Sequence, residues 1–412
     1  MDFYHLCIVG AGMIGSATAR HASADPSLKV CLIGPDEPKD WNNVDIFSAH
    51  YDEGRLTYII QDCVVDHQLT KCSMARYREI EKLSGISFYN PVGCLYIGEK
   101  NIDHTVRLQN ACVVNNVPVE DLSDNSMFKQ KFPFMNLRED EVALFDYTGA
   151  GYISARNLVA AQQEISRRQG CTIIRDVVSS IEEFSHSNDN IVLKITTDCG
   201  NIIEAQRVVI CTGAFTNFRQ LLPNYGILSP AMEITEDSVA LLEISEDEAE
   251  RLKIMPGILY DRMHYPNLSH SLGAYILPPI KYPDGKWYLK IGHGKEFKKE
   301  LHTIEEVKKW YLSGGDPEII MEYADVLKKL LSGIEVMSIK GSSCVTTHTP
   351  SKLPYIDRVT PILTVAIAGN GKGAKMSDEL GRITANLAVK GEWNSEIPHS
   401  LFTIRWKHAN KL

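Results

Sequence analysis

Short continuous apolar runs alternate with helix-length stretches along much of the chain, the pattern of a sheet whose strands are buried on both faces. Residues 6–9 form the first such run, residues 16–22 a helix of small residues, and residues 29–33 a second run, together a βαβ unit of about 30 residues. A second stretch of the same kind predicts a strand at 151–153, a helix at 154–169 and strands at 172–174, 191–196, 202–205 and 208–211. A third predicts a strand at 363–368, a glycine-rich loop and a helix at 376–389. The intervening residues, roughly 90–145 and 223–340, are richer in aromatics and prolines. They alternate apolar and polar positions, as in Trp287-Tyr288-Leu289-Lys290-Ile291, which predicts half-buried strands.

These patterns predict an α/β fold, α+β overall: a Rossmann-like domain interrupted twice by an antiparallel-sheet domain. The first is expected to hold residues 1–89, 149–222 and 341–412, and the second residues 90–148 and 223–340. Two domains suit a length of 412 residues, since single domains run to about 50–250.

Composition narrows the function. A formal charge of −9 without a basic stripe argues against a nucleic-acid partner, and the lysines at 295, 298, 299, 308 and 309 are interleaved with glutamates as on a solvated helix face. No apolar stretch nears the ~20 residues of a membrane span. Ten cysteines without a C-x-x-C pair read as buried thiols in a reducing, cytoplasmic compartment. The terminal Asn410-Lys411-Leu412 is one residue from a Ser-Lys-Leu peroxisomal address, with a frayed polar tail as the plain alternative.

The strongest local signal is Gly10-Ala11-Gly12-Met13-Ile14-Gly15, directly after the first apolar run and before the first helix. In this context Gly10 permits a tight turn, Gly12 lets backbone approach a pyrophosphate, and Gly15 allows close helix–strand packing. The helix N-terminus then faces the phosphate charge. The ribose-binding acid expected about 20 residues on is replaced by Gly34; Asp36 or Glu37 stands next to it. The turn predicts a dinucleotide and leaves NAD or FAD open.

Three further segments bear on that choice. They are His50-Tyr51-Asp52-Glu53-Gly54-Arg55; Val208-Val209-Ile210-Cys211-Thr212-Gly213-Ala214-Phe215; and Ser343-Cys344-Val345-Thr346-Thr347-His348-Thr349-Pro350, followed by Tyr355-Ile356-Asp357 and Gly369-Asn370-Gly371-Lys372-Gly373-Ala374-Lys375. In order and spacing the chain resembles the FAD-dependent amino-acid oxidase superfamily, and within it the branch of monomeric sarcosine and N-methyl amino-acid oxidases. The resemblance implies FAD, with Val178 and Gly213 among its contacts and Cys344 in the place of a cysteine that links flavin covalently. Gly371, Lys372, Gly373 and Ala374 would lead into a helix whose N-terminus stabilises negative charge on the reduced ring. Lys290 matches the lysine that promotes reaction with O2, where a fixed ammonium favours superoxide formation. Lys375 matches a lysine near the substrate carboxylate.

The sequence also departs from that branch. The loop after residue 33 is shorter, Ser48 stands where a carboxylate-binding arginine is expected, and Thr346 replaces a pocket tyrosine. The pocket is thereby enlarged or neutralised, so a bulkier secondary amine or N-substituted amino acid is expected rather than sarcosine, with Arg55, His50 and Tyr288 as further candidates for holding it. The implied reaction is C–N oxidation to an imine by hydride transfer to flavin N5, with reoxidation by O2 to hydrogen peroxide, in a monomer or homodimer. The alternatives are a flavin dehydrogenase using another acceptor and a low-turnover flavin-bearing scaffold.

Overall fold

The computed structural model describes residues 2–185, 191–219, 221–222, 228–265, 268, 271–292 and 298–408. The terminal tripeptide and Lys295 therefore lie outside the described residues.

The apolar runs assemble into a six-stranded sheet in the order Thr172–Ile174, Val30–Ile33, Leu6–Val9, Val208–Ile210, Leu363–Ile367, Tyr355–Thr360. The first five strands are parallel and the last is antiparallel. Four of the five parallel strands are buried at every position, which is why they read as unbroken apolar runs. The glycine segments follow the carboxyl ends of the three neighbouring strands Leu6–Val9, Val208–Ile210 and Leu363–Ile367. Three stretches distant in sequence thus meet beyond the carboxyl ends of the strands, where open α/β sheets bind ligands.

The helices on this sheet pack very closely. Gly381, midway along Gly373–Lys390, has no room for a side chain: a Cβ there would lie 2.5 Å from Ala17 Cβ and 2.7 Å from Thr18 N in Met13–Ser23. The small residues of the first helix serve this contact. Gly373–Lys390 starts three residues before the predicted 376, because Gly373, Ala374 and Lys375 join the helix rather than the loop. Ala155–Arg168 starts one residue after the predicted 154, because Ser154 caps it, its hydroxyl accepting from Asn157 N. Two strands not predicted, Asp2–Tyr4 and Val178–Ser185, join the expected Ile191–Thr197 and Ile202–Ala205 in a separate four-stranded sheet.

A second, eight-stranded sheet runs Ser338–His348, Glu233–Ile244, Trp287–Gly292, Leu272–Lys281, Gly257–Arg262, Cys94–Glu99, Glu141–Asp146, Val119–Asp121. It is antiparallel except where Gly257–Arg262 runs parallel to Cys94–Glu99, so the sheet is mixed. Ser338–His348 pairs along its whole length with Glu233–Ile244, so an expected domain boundary at 340/341 falls inside a strand. Alternation sorts its faces. Ala240, Leu242, Leu289 and Ile291 enter a core with Tyr323 and Leu327 of helix Pro317–Leu330. Leu241, Lys290 and Cys344 face a cavity instead. Among the described residues no helix is long and apolar enough to cross a membrane.

Candidate active site

One cavity of about 800 Å³ runs from the glycine turn at the carboxyl end of Leu6–Val9 to one face of the eight-stranded sheet. At the first end the turn is built for close approach. Gly10 has φ +107°, and a Cβ there would lie 2.4 Å from Cys211 O; a Cβ on Gly15 would lie 1.9 Å from Gly10 O. Gly15 is thus a packing residue beneath the cavity and not part of its lining. Gly12 is different: the nearest atom to its Cβ position is Ser48 Oγ at 3.4 Å, so its missing side chain leaves free space in the cavity wall.

Two helices begin at this cavity with bare N-termini. Met13–Ser23 and Gly373–Lys390 have neither a side-chain cap nor an acidic residue in the first turn. Ala155–Arg168, Ile304–Ser313 and Pro317–Leu330 are capped by Ser154, Thr303 and Asp316. Uncapped N–H groups and the positive end of the helix dipole favour an anionic or electron-rich ligand. The two N-termini in one cavity suit a ligand with a pyrophosphate and, further along, a ring that gains negative charge.

The absent ribose acid has a steric cause. A Cβ at Gly34 would sit 2.5 Å from Ala11 N, so no carboxylate fits there. Glu37 lines the cavity in its place, holding Arg156 through contacts of 2.6 and 2.7 Å. Asp36 does not line it: its largely exposed carboxylate pairs with Arg175 at 3.0 Å. Met13, Ile14, Val178, Gly213, Cys344 and every residue from Gly371 to Lys375 stand on the walls. Gly371 sits at φ +70°, which turns the chain into the helix. Lys372 pairs with Asp66 at 2.6 Å.

The two candidate lysines differ in setting. Lys290 is 1% exposed and donates to Asp52 Oδ2 and, at 3.1 Å, to Gly54 O. Asp52 also accepts from Arg55 and from Tyr282 Oη at 3.0 Å. Burial pulls the Lys290 ammonium down to about 8; Asp52 opposes the fall and Arg55 adds to it. Burial raises Asp52, but Lys290 and Arg55 more than reverse this and hold it well below the usual carboxylate range. Lys375, 3% exposed, forms no ion pair among the described residues and lies 4.1 Å from the Tyr58 ring centroid. Burial brings it down to about 7, against the pull of Asp66.

Other candidates move. Tyr288 faces the same side as Lys290 but lies outside the lining, its hydroxyl donating to Asp284 at 2.9 Å and accepting from Lys340. His50 lines the cavity and bonds Ser48 Oγ at 2.5 Å; burial and then Arg156, Arg55 and Arg175 push it down to about 3, so it is neutral. Burial and then Asp237 push the Cys344 thiol up to about 12, against Arg55, Lys290 and Lys298. Sequence reasoning assigned nothing to Asp52, Tyr58, Tyr275 or the stacked pair Phe47–Tyr311, all on the walls. Asp52 alone had a signal, its place in the segment His50–Arg55.

Fold and site together define a flavin-type oxidoreductase: a Rossmann-like sheet whose cavity extends onto a second sheet. Residues 5–387 match the FAD dependent oxidoreductase (DAO) family, and the chain belongs to it. The peroxisomal sarcosine oxidase of Homo sapiens is 24% identical over 396 residues, covering 94% of this chain and 93% of that protein. The N-methyl-L-tryptophan oxidase of Yersinia pestis (strain Pestoides F) is 22% identical over 395 residues, covering 93% and 95%. Among solved structures, the open form of NikD, an unusual amino acid oxidase, superimposes with a TM-score of 0.77 at 18% identity, covering 98% of both chains. The chain is an FAD-dependent oxidoreductase. The bare helix N-termini, the side-chain-free wall at Gly12 and the reach of the cavity between the sheets fit that cofactor.

Proposed function

We propose that the protein is an oxidase of N-substituted amino acids, removing a hydride from the carbon next to a secondary amine. The observation that carries this is Lys375: a buried ammonium without a carboxylate partner among the described residues, at the start of a helix lining the cavity. An ammonium left unmatched in a dry site calls for an anionic ligand, and an amino-acid carboxylate is the simplest. FAD would be held by the glycine turn and by the segment from Gly371 to Ala374, and would supply the chemistry of hydride acceptance and of reoxidation by O2 to hydrogen peroxide. Lys375 orients the substrate; Tyr58 excludes water beside it and Tyr275 beside Lys290. Lys290 offers positive charge where oxygen is reduced. The replacement of an expected arginine by Ser48 favours substrates larger than sarcosine.

The test is anaerobic mixing of the yellow holoenzyme with a panel of N-methyl amino acids. At least one is expected to bleach the flavin, and air to restore it with one peroxide per turnover. Lys375→Met is expected to raise KM about tenfold or more with a smaller fall in kcat, as loss of one charge-assisted contact would. No bleaching by any member of the panel sinks the proposal. Bleaching without recovery in air instead selects a dehydrogenase, a reading favoured by the ion pair that Lys290 already makes with Asp52.

Cys344 is proposed as the site of a covalent flavin link, since it lies on the cavity wall facing the same space as Lys290. Acid precipitation of the wild type is expected to leave the yellow colour in the pellet, and of Cys344→Ala in the supernatant. Colour retained by the mutant pellet assigns the link elsewhere.

A further inference from the structure

A second space of about 330 Å³ abuts the main cavity, meeting it at Tyr58, Leu259, Tyr275, Gly371 and Lys372. Its character is opposite. Where the main cavity presents Lys290 and Lys375, this chamber is lined by Asp62, Asp66 and Asp261, with Gln61 and His104 beside them. Lys372 answers Asp66 at 2.6 Å. Arg107, from outside the lining, reaches Asp62 at 3.5 Å but is also engaged by Asp103. His104 stands 3.5 Å from Asp261. The carboxylates therefore outnumber the fixed cations around them.

The independent sign of a missing ligand is Asp66. It is 1% exposed, and its Oδ1 has no hydrogen-bond partner. A dry carboxylate oxygen without a donor is a standing destabilisation that a ligand N–H would relieve. Burial raises Asp261 to about 6, with His104 opposing and Asp62 adding the smallest part. One nearby group registers the carboxylates around it. Burial is the main cause of the raised Tyr58 phenol, and Asp66, Asp261 and Asp62 each add to it.

We infer that the chamber binds a distal ammonium or guanidinium, so that the preferred substrate is an N-substituted amino acid with a cationic side chain. This deepens the proposed function and rests on it. With the substrate carboxylate at Lys375, a side chain passing Tyr58 and Tyr275 enters the chamber, and its charged end meets the carboxylates. Side chains ending in a methyl group leave Asp66 unmatched and are disfavoured for that reason.

The probes are Nα-methyl-L-lysine and its isostere N-methyl-L-2-aminoheptanoate, which ends in a methyl group. Dissociation constants come from calorimetry on the anaerobic holoenzyme, and flavin reduction is followed separately. At about pH 7.5, where Asp261 is ionised, the lysine compound is expected to bind about tenfold tighter or more, a ratio that shrinks with added salt. In Asp66→Asn and in Asp261→Asn the ratio is expected to fall to within about twofold; a general disturbance of the site would weaken both ligands and leave the ratio standing. If Asp66→Asn does not fold, Asp261→Asn decides. Equal binding by wild type, or a ratio that survives the substitutions, overturns the cation site. A charge-dependent ratio without flavin reduction by either compound keeps the cation site and overturns the proposed oxidation.

Discussion

Gly15→Ala is expected to give a protein that purifies without flavin and melts well below wild type. The added Cβ would fall 1.9 Å from Gly10 O, a backbone atom of the very turn that carries the cavity wall, with Cys211 Cβ at 3.2 Å on the other side. Neither neighbour can rotate away. Relief requires Met13–Ser23 to lift from Leu6–Val9, which also pulls its bare N-terminus back from the ligand and disturbs its tight packing on Gly381. Overpacking alone costs about 1–3 kcal/mol, and a backbone clash lies at or above the upper end. Loss of bound FAD removes a further stabilisation that grows with ligand concentration over Kd. Gly12→Ala is the control, because its Cβ has only Ser48 Oγ at 3.4 Å and otherwise enters free space. That variant is expected to keep the melting temperature of the apoprotein while binding FAD more weakly. Flavin absorbance per chain and apoprotein melting separate the two cases; a fully flavinylated, wild-type-stable Gly15→Ala would refute the packing role.

Local regularity explains what was readable in the sequence. Strands buried on both faces leave unbroken apolar runs, so the parallel strands and the glycine turn between the first strand and helix were legible. Their neighbourhood was not. Nothing in residues 6–9, 208–211 and 363–368 shows that these strands lie side by side; that follows from pairing across the whole chain. Side-chain direction after a turn was equally hidden, and Asp36 turned outward to Arg175 while Glu37 faced the cavity. Tyr288 shared a face with Lys290, as period two requires, but lay one step beyond the cavity's end. Asp52 stood in a recognised segment without a role, because its meaning depends on Lys290, Arg55 and Tyr282, the farthest of them 238 residues away. The expected boundary at 340/341 falls inside a strand, because the pairing of Ser338–His348 with Glu233–Ile244 joins residues about 100 positions apart and leaves no local mark.

Lys290→Met is expected to slow reoxidation of the substrate-reduced enzyme by O2 about 100-fold or more, while anaerobic reduction changes only a few-fold. Loss of one preorganised charged or donor group at a site of developing negative charge typically has an effect of about 10²–10³-fold. The variant should fold, since Asp52 keeps Arg55 and Tyr282 as partners and methionine fills a similar volume against apolar neighbours. The pH dependence supplies a second check with a fixed sign. Burial depresses the Lys290 ammonium to about 8, so the cation is present at neutral pH and is lost as pH rises through that value. Wild-type reoxidation should therefore fall above about pH 8 and the methionine variant should be flat there. Lys375, depressed to about 7, titrates earlier and should mark substrate binding instead. Separate measurement of the two half-reactions thus assigns each midpoint to its own lysine. Reoxidation in the variant as fast as in wild type, or a wild-type rate that rises through pH 8, would place oxygen activation elsewhere in the cavity, with Arg55 the next cation on its wall.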